Sequence, residues 1–216
     1  MLFRSMLILL GYLQAQYNVF GNRWGMATFI PMIILFFAAY YFDHLGVLSI
    51  AIINLAAWAG ITVTPMQLLK SNDFSNGKII VTGIFLAVFL LVLLHVTMRE
   101  NIKKHFAFTY KNFGVHLLFI SLIAGMAHFE SYYLFFFLLI AAVGYFQFIE
   151  AFTGKSFYFI VVVALYDYIA LSYLCMYLLF HFRINEGIYF AFFYFLLSAI
   201  GFIVLLITVN KKLKQS

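Results

Sequence analysis

The chain is paced by apolar runs, each about as long as a bilayer's hydrocarbon layer is thick, and this feature limits its folds more than any other. A helix needs roughly 17 to 25 residues to cross about 30 Å of hydrocarbon. Eight runs approach or reach that length: Leu2 to Tyr17, Trp24 to Phe42, Leu45 to Val63, Ile79 to Met98, Phe113 to Phe129, Tyr132 to Phe152, Phe157 to Phe182 and Ile188 to Val209. Inside lipid only a helix satisfies its own backbone hydrogen bonds, and no period-two barrel alternation is present. The sequence therefore predicts an all-α polytopic integral membrane helical bundle of about eight transmembrane helices, with residues 1–216 forming a single integral membrane domain.

The first run, where Arg4 precedes "MLILLGYL", has the shape of a signal peptide. "LQAQ" offers no small-x-small cleavage site, so the run reads as a retained helix or the remnant of a longer N-terminal region. Composition agrees with oil as the solvent. Hydrophobic residues make up 66% of the chain and charged residues 9%, with a mean hydropathy of +1.06, whereas soluble domains are about 25% charged. The 29 Phe and 15 Tyr suit lipid-facing and interfacial positions.

A net charge of +6 raises the question of nucleic acid. The cations sit between apolar runs, as in "MRENIKKHF" and "NKKLKQS", so membrane orientation accounts for them and no nucleic-acid partner is expected. On one side of an eight-span chain fall Arg4, Arg99, Lys103, Lys104, Lys111, Lys155, Lys211, Lys212 and Lys214; on the other fall Arg23, Lys70, Lys78 and Arg183. The bias places both termini in the cytoplasm. Cys175 is the only cysteine, which leaves no intramolecular disulfide and no thiolate cluster, and no Asn-x-Ser/Thr acceptor is present. Both facts suit a bacterial inner membrane. The expected partners are the lipid bilayer and a membrane-protein partner or second copies of the chain.

The longest connection, Thr64 to Lys78, carries Pro, Asn, Asp, Ser and Gly and reads as an outer surface loop. The pairs Ala56 with Gly60 and Gly83 with Ala87 would let helices approach closely. Asp43 and His44 read as the polar caps of a tight turn. "TGKS" at Thr153 to Ser156 lacks the first glycine of a phosphate loop, since position 149 is Ile149; it reads as a cytoplasmic turn.

Asp167 is the exception to the hydrocarbon rule, set within "VVVALYDYIALSY" about ten residues, or ~15 Å, into its span. An ionised carboxylate at that depth costs at least ~2.5 kcal/mol, so it must be sheltered, paired or protonated, and intramembrane acids are functional hypotheses by default. Tyr166 and Asp167 resemble half of an aspartyl-protease site, yet the last span has no acid to share the proton. No Gly-x-Ser or His-Glu-x-x-His pattern occurs, so no catalytic, cofactor or metal residue is assigned and an enzyme is the third reading. Depth arithmetic groups Asn54, His95, His116, Gln147 and Glu150 with Asp167 as an intramembrane polar site: Asn54 at the same level, the others towards the cytoplasm. Each also has a plainer role: Asn54 as an interhelical hydrogen bonder, His95 and His116 as interfacial groups, Glu150 as a solvated helix end.

Two segments carry a resemblance, Phe20 to Leu69 with "YYFDHLGVLS" and "AAWAGI", and "KHFAFTYKNFGVHLLFISLIAG" from Lys104 to Gly125. Together, covering roughly a third of the chain, they resemble a family of predicted prokaryotic multi-pass membrane proteins classed as a domain of unknown function. Members commonly begin with further spans, which implies that the present start is a shortened one. The resemblance supplies the membrane class and carries over no catalytic residue. The leading functional expectation is a small transporter or proton-coupled permease-like subunit using Asp167; the alternative is a structural or assembly subunit of a membrane complex.

Overall fold

The computed structural model describes residues 2–17, 24–63, 77–181 and 187–215. Among them all regular structure is helical: α1 (Leu2–Tyr17), α2 (Trp24–Phe42), α3 (Leu45–Val63), α4 (Gly77–Arg99), α5 (Ala107–His128), α6 (Tyr133–Thr153), α7 (Phe157–His181) and α8 (Gly187–Gln215), with 3-10 turns at Lys104–Phe106 and Glu130–Tyr132. Five segments are long and apolar enough to cross a membrane: Gly77–Arg99, Lys104–His128, Glu130–Thr153, Phe157–Leu179 and Tyr189–Lys214. Shorter apolar stretches, Thr28–Phe42 and Leu45–Gly60, lie in α2 and α3. Of the expected outer loop, residues 64–76 lie outside the described residues, and Lys78 already belongs to α4.

The chain offers no Pro- or Gly-rich linker to divide it, yet the helices gather into two compact units, Met1–His128 and Phe129–Ser216. In the first unit, Leu35 and Ala39 of α2, Leu48 and Ala51 of α3, Leu90 of α4 and Tyr110 of α5 share one buried cluster with Phe106. The hydroxyls of Tyr40 and Tyr110 are hydrogen-bonded at 2.8 Å, so the one polar atom that Tyr110 brings into this cluster is satisfied. The spacing of Gly83 and Ala87 does permit close approach. Ala87 is fully buried, and a Cβ on Gly83 would run into Ser121 Oγ of α5.

The Asp43–His44 turn is capped as its residue types require. Asp43 takes a left-handed conformation (φ 56°), His44 N donates to Ala39 O at 3.1 Å, and His44 Nδ1 then accepts from the Gly46 and Val47 amides at 3.1 and 3.3 Å. Asp43 also reaches the α4–α5 connection: its Oδ1 lies 2.8 Å from Lys103 Nζ and 2.9 Å from His105 Nε2. The Lys103 hydrogen bond is the main reason its carboxyl titrates below the usual carboxylate range. These contacts bring the α2–α3 turn and the basic α4–α5 connection to one end of the first unit.

In the second unit the "TGKS" string is a turn. Lys155 is left-handed (φ 52°), Lys155 N donates to Phe152 O at 3.1 Å, and Ser156 N donates to Ala151 O at 2.9 Å, closing α6 in a Schellman-type cap. Ala151, Phe159 and Ile160 are buried beside this turn with Val209 and Leu213 of α8 packed on them. The basic end of α8 and the Lys155 turn thus share one end of the unit.

Candidate functional site

The site is built on the α6–α7 hairpin. Asp167 stands ten residues into α7 and Gly144 eleven into α6, each near the middle of its helix. Gly144 is buried, and a Cβ added there would collide with both carboxylate oxygens of Asp167. Absence of a side chain at Gly144 is what allows a carboxylate to lie against the α6 backbone. Next to it on α7, Ala170 is fully buried and Ala164 is half-buried, so small residues also clear the acid's own helix face.

The electrostatics are unbalanced. Asp167 Oδ1 and Gln147 Oε1 are buried and accept no hydrogen bond from any protein group among the described residues. A buried acceptor left in this way costs about 1 to 3 kcal/mol. Gln147 is three residues on from Gly144, one turn along the same face of α6. The hairpin therefore carries two hungry acceptors within about one turn of each other at mid-depth.

Asp167 lines two grooves. One, of about 360 Å³, runs over Ile140, Gly144 and Phe148 of α6 and Ala170 of α7. The other, of about 380 Å³, lies towards α8 and is lined by Phe148, Tyr168, Tyr194, Gly201 and Phe202 among others. Both are mainly hydrocarbon and aromatic, with Asp167 as the one acid on their walls.

The α8 side is fixed by two side-chain hydrogen bonds that hydropathy does not reveal. The hydroxyl of Tyr168 is 3.0 Å from Ser198 Oγ, and Ser172 Oγ is 3.1 Å from the Tyr194 hydroxyl. Both helices carry a Tyr-x-x-x-Ser string, "YIALS" at Tyr168 to Ser172 and "YFLLS" at Tyr194 to Ser198. Residues four apart share a helix face, so antiparallel packing sets each Tyr opposite the other helix's Ser. Tyr168 also stacks at a tilt on Phe202, with ring centroids 5.2 Å apart. Two identical spacings in neighbouring spans were the available signal.

Of the residues grouped by depth, Asp167, Gln147 and Glu150 belong to the second unit, and Asn54, His95 and His116 to the first. Gln147 joins Asp167 in the hairpin; Glu150 is exposed near the C-terminal end of α6. Asn54 is buried on α3, His116 is half-buried on α5, and His95 is exposed on α4. Among the described residues no three His, Cys, Asp or Glu side chains group as a metal site. Comparison of the chain with protein-family models, with curated proteins and with solved structures finds no match.

Proposed function

We propose that this chain is a multi-pass integral membrane protein of about eight spans in a bacterial inner membrane, and that Asp167 is the ionisable centre of a small transporter or proton-coupled permease-like subunit. The observation that carries the reading is the Asp167 carboxylate pressed against Gly144 at mid-depth, one oxygen buried and unpartnered, with a groove on either side. A carboxylate kept only to hold two helices together would ordinarily be given a donor, because an unpaired one destabilises the packing it serves. A carboxylate that must gain and release a proton or a cation needs a free lone pair and a way to reach it. Within the same unit, Gln147 and Glu150 on α6 are the candidates for a polar route to Asp167.

Cytoplasmic termini follow from the Lys and Arg bias and are supported inside each unit. Asp43 meets Lys103 and His105 at one end of the first unit, and the Lys155 turn meets the basic end of α8 in the second.

The test is proton flux into proteoliposomes driven by a potassium diffusion potential. Asp167→Asn abolishes flux if the reading holds; flux equal to wild type overturns it. The same unpaired oxygen favours a second reading, in which a donor from a partner chain completes the pair and the protein is an assembly subunit. In that case Asp167→Asn keeps a stoichiometric complex in mild detergent while Asp167→Leu dissociates it.

A further inference from the structure

The groove facing α8 has a chemical bias that proton coupling alone does not use. Its walls bring four aromatic rings, Phe148, Tyr168, Tyr194 and Phe202, around a single carboxylate, and about 380 Å³ is within the range that holds small organic ligands. Aromatic faces attract cations through their quadrupoles, and the attraction grows where water is excluded. The tyrosine hydroxyls are engaged with Ser198 and Ser172, which leaves the aromatic rings as the main feature of that wall. Asp167 adds a carboxylate to that wall, one of whose oxygens has no donor among the described residues. Apolar walls reject inorganic ions that would keep their water, while a carboxylate disfavours anions. What satisfies all three conditions is an organic cation with an N–H.

We propose that this groove binds a lipophilic ammonium ion, the protonated form of an aryl- or alkylamine, with its N–H donated to the Asp167 carboxylate and its hydrocarbon among Phe148, Tyr168, Tyr194 and Phe202. The proposal rests on Asp167 being the working group of the second unit and names the class of cargo it would handle. No bond is made or broken; the ion is held by charge, one hydrogen bond and ring faces.

The experiment measures binding of 2-phenylethylammonium to the full chain in lipid nanodiscs by calorimetry, with neutral 2-phenylethanol, of the same size, as comparison. Saturable binding of the ammonium is expected, with the alcohol at least about tenfold weaker, since a hydrogen bond to a charged group is worth that much. Asp167→Asn lowers ammonium affinity at least about tenfold by the same reasoning. Gly201→Phe fills the groove while leaving Asp167 in place; a Cβ there meets no atom within 4 Å, so the variant tests occupancy without a clash on the backbone side. It loses binding too. Equal affinity for amine and alcohol overturns the proposal, as does wild-type affinity in Gly201→Phe, and these arms decide the matter even if Asp167→Asn fails to fold. Asp167-dependent proton flux without ammonium binding sinks the cargo assignment and leaves the proton reading standing. Asp167-dependent binding without proton flux does the reverse.

Discussion

Two aspartates show how the same carboxyl group behaves in oil and at a watery turn. Asp167 is tolerated in the hairpin because Gly144 yields its space, so Gly144→Ala should destabilise the protein by about 1 to 3 kcal/mol through overpacking. Thermal unfolding in detergent checks this, and the loss should shrink in an Asp167→Ala background, where no carboxylate remains to be displaced. Asp43 is exposed and titrates below its ordinary value of 3.8, chiefly through Lys103. Because its folded-state value is depressed, the stability it adds is present above pH 3.8 and is lost as the pH falls through the depressed value. Melting temperature against pH should therefore lose its Asp43-linked acid slope in Asp43→Asn, and added salt should flatten the slope in wild type. At this scale Asp167 was legible as the lone acid in an apolar run. Gly144 was not, because nothing in a glycine's own neighbourhood says which residue of another helix lies across from it.

Hydropathy located the elements well where the helix and the apolar run end together. α1, α2 and α3 begin and end at the residues where their runs do. The reading falls short where a helix continues into polar sequence. α5 begins at Ala107, six residues before Phe113, since Thr109 and Tyr110 are buried and extend the packed face. α8 continues past Val209 to Gln215, because a helix needs hydrocarbon only to be inserted and not to be a helix. The Tyr-x-x-x-Ser strings of α7 and α8 were in plain view; their meaning depends on an antiparallel register that only packing supplies. A double-mutant cycle of Tyr168→Phe and Ser198→Ala should give a coupling of about 0.6 kcal/mol, the usual worth of such a bond between membrane helices. Reversible unfolding in mixed micelles measures it, and a cycle of Tyr168→Phe with Ser172→Ala, which pair with different residues, gives the non-bonded control.

For the whole molecule, the grouping of the helices on either side of His128 and Phe129 was hidden because apolar runs fill both halves and the join is a short turn. The proposed cytoplasmic placement of both termini is tested by cysteines placed at Lys103 and Lys155 in a Cys175→Ser background, which should react with an impermeant maleimide only after the inner face is exposed. A cysteine at Glu130 should react from outside. Labelling of Lys103 and Lys155 positions from opposite faces would contradict the topology. The reciprocal Tyr and Ser contacts carry a mechanical consequence for α7 and α8. Sliding one helix past the other by a turn, about 5.4 Å, sets Tyr168 against Phe202 or Tyr194, and Ser172 against Ser198 or Phe190, so both native hydroxyl pairs are lost and one new pair forms in their place. The pair of helices thus has one full detent flanked by two shallower ones, with Asp167 riding past a different stretch of α8 at each stop.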